Sequence, residues 1–243
     1  MKISIVVPVH NEAGNIVSLI EEIVNAMSLA EAYEIIYVDD GSNDQTAAVL
    51  KQALRDFKAL RVFQHQQSCG QSKAIHTGVK AAKYSWIATL DGDGQNDPAD
   101  IPRLYEVLMR QKETVSNLWM VAGWRNKRYD SPWRLFSSKV ANFVRSRLLG
   151  DNTPDTGCGL KVFSRDSFLE LPYFDHMHRF LPALILRAGG HVMSQPVSHR
   201  SRTNGYSKYG TLDRLWAGLT DLIGVIWLQK RAKLAVINEV ESD

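Results

Sequence analysis

A chain of 243 residues is long enough to form one large domain or two small ones and to bury a sizeable core. Its 44% hydrophobic and 23% charged residues are globular proportions, which excludes a disordered or collagen-like chain. The formal net charge is only +3, yet between residues 199 and 233 seven Lys and Arg stand against two Asp, which points that segment toward phosphate or an anionic membrane surface.

The first element is KISIVVPV (2–9), an apolar, β-branched run with a late proline that reads as a buried strand. A helix follows, with Ile16, Leu19, Ile20, Ile23, Val24 and Met27 on one face. EIIYVDD (34–40) is a second strand. The next helix opens after the capping residues Ser42, Asn43 and Asp44 and turns Leu50, Ala53, Leu54 and Phe57 inward. LRVFQH (60–65) is a third strand, followed by a helix near 71–82. SWIATL (85–90) is a fourth, followed by a helix that aligns Ile101, Leu104, Tyr105, Leu108 and Met109. LWMVAG (118–123) makes a fifth strand. Beyond it the pattern predicts a helix over 133–149, a strand at CGLKVF (158–163), a helix at RFLPALILRAGG (179–190) and a strand at HVMSQPVSH (191–199).

Strand–helix alternation of this kind implies an α/β fold, a mostly parallel sheet with right-handed crossovers and helices on both faces. Residues 1–210 are expected to form one domain, with 211–243 a helix and tail belonging to the same unit. No stretch of about 20 apolar residues occurs, so no spanning helix is expected. The N-terminal apolar run is too short for a signal peptide, and the two distant cysteines, Cys69 and Cys158, suit a reducing cytoplasm.

Ligands of open parallel sheets sit beyond the carboxyl ends of the strands. Those ends carry PVHNE (8–12), VDDGSND (38–44) and LDGDGQND (90–97), which deliver Glu12, Asp39, Asp40, Asp91 and Asp93 to one rim. No G-x-G-x-x-G follows the first strand and no G-x-x-x-x-G-K-[ST] follows any strand, which argues against a redox Rossmann enzyme and a P-loop. An EF-hand starting at Asp91 fails, because its sixth position is Asn96 and its twelfth is Pro102. Asp91, Asp93 and Gln95 offer oxygen ligands alone, which suits Mg²⁺ or Mn²⁺ better than zinc.

With VVPVHNE, VDDGSND, GQSKAIHTG, DGDGQNDP, DTGCGLKVF, HRFLPAL and HRSRTNGYSKYG in order, the chain resembles the family 2 glycosyltransferases of GT-A (Rossmann-like) fold. It is most similar to the dolichyl-phosphate mannosyltransferase and polyprenyl-phosphate glycosyltransferase branch. The resemblance implies that Pro8, His10, Glu12, Val38 and Asp40 hold the nucleoside of a nucleotide-sugar donor. It places Asp91, Gly92 and Asp93 on the diphosphate and metal, with Gln95 a further metal ligand. Arg125 is implied near the sugar and leaving phosphate, and Arg202 and Lys208 on phosphates, with Asp91, Asp93, Arg125 and Arg202 the catalytic set. Implied too are a mannose- or glucose-type donor linked to GDP or UDP, a polyprenyl or dolichyl phosphate acceptor, and inversion at the anomeric carbon. One departure is His10, where the family often carries tyrosine.

The segment RLWAGLTDLIGVIWLQKR (214–231) sets Leu215, Leu219, Leu222 and Ile226 in one helical stripe beside Trp216, Ile223 and Trp227. Ending in Lys230, Arg231 and Lys233, it suits an amphipathic helix lying on a membrane surface, with packing on its own core or a second subunit the alternative; the first reading predicts a peripheral protein at the cytoplasmic face, and no nucleic-acid partner is expected. A lipid phosphate acceptor is already anionic and needs no strong general base, whereas transfer to a sugar hydroxyl does, with Asp155 the first candidate. A non-catalytic nucleotide-sugar-binding module is a third reading. His176 and His178 lack a third ligand at metal spacing and read as surface or structural residues.

Overall fold

The apolar runs become strands because both faces of each are covered. The structure, a computed structural model, describes residues 1–125, 145–201 and 211–234, with side chains in the last segment from 218 onward. Strands β1 (Lys2–Val9), β2 (Ala32–Asp39), β3 (Leu60–Gln64), β4 (Trp86–Thr89), β5 (Leu118–Arg125), β6 (Lys161–Ser164) and β7 (His191–Val197) form one sheet in the order β3-β2-β1-β4-β6-β5-β7. β6 runs antiparallel to β4 and β5, and the remaining pairs are parallel.

Helices α1 (Ile16–Ala26), α2 (Thr46–Asp56) and α4 (Asp100–Lys112) cover one face. Helices α3 (Gln71–Ala81), α5 (Arg165–Leu169), α6 (Leu181–Arg187) and α7 (Thr211–Lys230) belong to the other, with a 3₁₀ turn at Met177–Arg179. Alternation along a strand serves both layers: Ile3, Ile5, Val7 and Val9 of β1 enter the first core and Val6 the second. In β2, Ile35 and Tyr37 face the first core while Ile36 and Val38 face the second.

Several expectations are corrected. Leu50 and Ala53 of α2 are buried, but Leu54 is 43% exposed, because the helix meets the core along a narrower stripe than its sequence allows. The cap position itself is Gln45, which makes no side-chain cap, and Asp44, one residue earlier, accepts from the Thr46 amide through Oδ1 at 2.8 Å. The strand expected at 158–163 begins only at Lys161. Ahead of it, the Gly159 carbonyl accepts from Thr89 Oγ1 (2.7 Å) and the Leu160 carbonyl from the Gly123 amide (2.9 Å). The helix expected over 179–190 is split into the 3₁₀ turn and α6, with Pro182 in the first turn of α6 and Gly189, at φ 91°, following its end. Of the helix expected over 133–149, residues 133–144 lie outside the described residues and 145–149 are helical.

Helix α7 departs from the expected amphipathic pattern. Val225 is fully buried in the second core with Leu222, Ile226 and Leu228 packed against it, whereas Leu219 lies on the open side with Ile223 and Trp227. The helix is thus apolar on two sides, and the side chains of Leu215 and Trp216 are outside the description. It is tied down by Arg187 Nε donating to the Leu228 carbonyl, Gln229 Nε2 donating to the Leu149 carbonyl (both 2.9 Å) and His176 Nδ1 donating to Asp221 Oδ2 at 3.0 Å.

Truncating the two leucines of α2 tests the placement of the core. Leu50→Ala should cost about 2–5 kcal/mol in urea unfolding and Leu54→Ala well under about 1.5 kcal/mol, and equal losses would contradict the packing.

Candidate active site at the carboxyl edge of the sheet

The loops leaving β1, β2 and β3 are laced together before any ligand arrives. The Asn11 amide donates to Ser42 Oγ (2.9 Å), the Asn43 amide to Asn11 Oδ1 (2.8 Å) and the Glu12 amide to Thr46 Oγ1 (2.9 Å). His10 Nδ1 donates to the Asp40 carbonyl at 2.8 Å, which fixes its tautomer. Gly41, at φ 65°, is required: a Cβ there would lie 2.5 Å from the backbone of Gln67 and Ser68.

Both acids of VDDG turn inward. Asp40 Oδ1 accepts from His65 Nδ1 (2.7 Å) and the Cys69 amide (2.9 Å), and Oδ2 from Ser68 Oγ and the Gly70 amide (both 2.8 Å). Burial opposes this charge, but the bonds from Cys69, His65, Ser68 and Gly70 outweigh it and hold the carboxyl below its usual range. Asp39 accepts from the Ser42 amide (3.0 Å) and Gln64 Nε2 (3.1 Å). The Asp40 carboxylate that the sequence offers to a nucleoside is therefore spent on the 65–70 turn. Val38, read likewise as a nucleoside contact, is sealed in the second core. Asp40, His65 and Cys69 bring ligand atoms within 4.8 Å of one another, yet these hydrogen bonds already use the Asp40 oxygens and His65 Nδ1. Pro8, His10 and Glu12 do stand at the rim, Glu12 Oε2 accepting from Asn15 Nδ2 at 2.7 Å.

The acidic loop after β4 is built differently. Gly92 packs on the end of β1, where a Cβ would lie 2.4 Å from Val9 Cγ1 and 3.1 Å from the Pro8 carbonyl. The Asp91 amide donates to Asn96 Oδ1 (3.2 Å) and the Gln95 amide to Asp93 Oδ1 (3.1 Å). Gln71 Nε2, at the start of α3, donates to Asp91 Oδ1 at 2.8 Å. Gly159 lies directly against the Asp91 carboxylate, 2.3 Å from where a Cβ would sit. Burial and the neighbouring Asp93 charge push Asp91 up to about 6, against the pull of Lys161, Arg125 and the Gln71 bond. A divalent cation would relieve this strain, and the donor set of carboxylates with a carboxamide oxygen suits Mg²⁺ or Mn²⁺.

Across the rim, Arg125 grips Asp155 in a fork: Nε donates to Oδ2 at 2.6 Å and Nη2 to Oδ1 at 2.8 Å. Asp155, the first candidate for a base toward a sugar hydroxyl, is thereby ion-paired with Arg125. Lys161 was not singled out by sequence, since one lysine in an apolar strand reads as an edge residue. It is buried, its Nζ donating to the carbonyls of Thr156 and Cys158, and burial lowers its pKa. His178 is structural, as expected: Ser72 Oγ donates to its Nδ1 at 2.7 Å, and burial holds the ring neutral. Arg202 and Lys208 lie outside the described residues.

The family description Glycosyl transferase family 2 matches residues 4–171, well over half of the chain. The chain is a family 2 glycosyltransferase. The transferase is 34% identical over 235 residues to a dodecaprenyl-phosphate galacturonate synthase of Rhizobium johnstonii, covering 95% of this chain and 68% of that one. It is 32% identical over 223 residues to an undecaprenyl-phosphate 4-deoxy-4-formamido-L-arabinose transferase of Pseudomonas aeruginosa, covering 91% of this chain and 64% of that one. This glycosyltransferase thus spans about two thirds of the length of these relatives, and neither name carries the mannose or glucose expected from sequence. Its fold matches glucosyl-3-phosphoglycerate synthase of Mycobacterium tuberculosis with a TM-score of 0.69 at 19% identity, over 96% of this chain and 80% of that one, which establishes the GT-A architecture.

The raised Asp91 carboxyl gives a signed prediction. Stability from such a group is complete below its unfolded value near 4 and is lost as pH rises through about 6. Asp91→Asn, which keeps an oxygen for Gln71, should therefore raise Tm in EDTA at pH 7.5 by about 2–4 °C and lose that advantage at pH 4.5. A lower Tm at pH 7.5 would refute the electrostatic assignment.

Proposed function

We propose that the glycosyltransferase moves a sugar from a nucleoside diphosphate donor, GDP- or UDP-linked, to a polyprenyl phosphate at the inner face of the cell membrane, with inversion. The observation that carries this reading is the state of the rim acids. Asp39, Asp40 and Asp155 are all committed to internal partners, while burial and the neighbouring Asp93 charge strain the Asp91 carboxylate, which a cation would relieve. An acceptor that arrives as a phosphate anion needs no proton removed. The names of the polyprenyl-phosphate relatives support the acceptor, and structural neighbours with Mn²⁺ or Mg²⁺ and UDP support the cofactor.

In this reading Asp91, Asp93 and Gln95 hold Mg²⁺ or Mn²⁺, which when bound offsets charge on the departing nucleoside diphosphate. His10 and Glu12, locked to the β2 loop, with Pro8 beneath, line the nucleoside side. Arg125, fixed by Asp155, lends positive potential beside the sugar and leaving phosphate. Arg202 and Lys208 are assigned to phosphates by their motif alone. Catalysis rests on positioning two anionic substrates against fixed positive groups.

The open side of α7 fits the acceptor's location. Ile223 is 69% and Trp227 57% exposed, Leu234 is open too, and the Arg231 guanidinium lies 6.0 Å from the Trp227 ring centroid, with Lys230 and Lys233 exposed nearby. Apolar side chains beside cations suit an anionic lipid surface. No helix among the described residues is long and apolar enough to cross a membrane.

Two measurements test the reading. With Mn²⁺, undecaprenyl phosphate and a panel of nucleotide sugars, the wild type should form lipid-linked sugar and Asp93→Ala should lose at least about 10²-fold in rate. Product on free sugar or water alone would favour the hydroxyl acceptor. Ile223→Asp with Trp227→Asp should abolish co-sedimentation with anionic liposomes, and equal sedimentation would exclude α7 as the docking element.

A further inference from the structure

We infer that Arg200 is a positioning residue that orients the Gln95 carboxamide for the cation, an inference that rests on the metal site proposed above. β7 ends at Val197, and the chain then runs back across the acidic loop. The Ser198 amide donates to Asp100 Oδ2 (2.6 Å), and His199 and Asn96 form an antiparallel bridge. The Arg200 amide donates to the Gln95 carbonyl at 3.0 Å, and Gln95 Nε2 donates to the Arg200 carbonyl at 3.4 Å. Residue 200 thus holds Gln95 by backbone and side chain together.

Its own side chain adds two further ties to those of the backbone. Nη1 contacts Glu22 Oε2 of α1 at 2.5 Å, and Nη2 contacts Asp97 Oδ2, within the acidic loop itself, at 2.7 Å. One guanidinium therefore bridges a helix of the sheet layer and the loop that carries Asp91 and Asp93. A carboxamide has a donor end and an acceptor end, and only the donor end can meet a carbonyl. The bond to Arg200 thus turns the nitrogen inward and leaves Oε1 as the end available to a cation. Released from that bond, the amide could equally present its NH₂, which cannot coordinate. Groups that orient metal ligands in this way carry a substantial share of metal affinity. Residues 202–208, which hold the two basic side chains assigned to phosphates, follow directly in the chain.

The test is Mn²⁺ binding to the full chain, read by the electron paramagnetic resonance of free Mn²⁺ without donor or acceptor. Arg200→Ala should weaken Mn²⁺ about tenfold or more, as Gln95→Ala should, and the double variant should be no weaker than either single one. Arg200→Lys, which keeps one charge between the two acids, should recover part of the loss. It also decides the matter if the alanine variant unfolds. Wild-type affinity in Arg200→Ala, or additive losses in the double variant, would overturn the inference while leaving the metal site intact. A wild type that binds no Mn²⁺ would overturn the metal site and this inference together.

Discussion

Two half-buried carboxylates separated by a single residue are the constraint around which this rim is organised. Burial and the Asp93 charge raise the cost of ionising Asp91, and the surrounding chain moderates that cost without cancelling it. Gln71 donates to Asp91, Lys161 lends a buried positive charge, and Gly159 leaves room for the carboxylate. The acids of the β2 end show the opposite solution. Asp40 collects four donors and becomes part of the scaffold. The same residue type at equivalent strand ends thus meets two different surroundings, four donors at Asp40 and a single side-chain hydrogen bond from Gln71 at Asp91.

Much of this was legible in sequence. The first five strands were readable because parallel strands covered on both sides must be continuously apolar, and the crossover helices followed from their spacing. The acidic loop was legible because three carboxylates and two carboxamides in seven residues, 91–97, have few structural uses. What could not be read depended on partners distant in the chain. Asp40 looks like a ligand until His65, Ser68, Cys69 and Gly70 are seen around it, and Asp155 looks like a base until Arg125 arrives from β5. Lys161 was passed over because its burial is made possible by two carbonyls of an irregular turn, which no periodicity announces. Helix α7 shows the limit from the other side: apolar spacing put Leu219, Leu222 and Ile226 in one stripe, but a helix that is apolar on two sides does not state which side meets the core.

The lacing of the rim also explains why so few regular elements suffice. Asn11, Ser42, Asn43 and Thr46 bond one loop to the next, and Gly41 lets the third loop lie against the second. Their order at the donor side is set by the loops themselves as much as by the strands beneath.

The reversed strand β6 has a consequence for how such a molecule can diversify. Because it runs against β4 and β5, the chain enters it at the same edge from which β4 leaves, so residues 155–160 meet residues 91–97 across the rim. The order β3-β2-β1-β4 to one side and β6-β5-β7 to the other divides the sheet into two halves joined along that seam. Changes in length or composition between β5 and β6 can therefore remodel one half of the cleft while leaving the other half's bonding untouched.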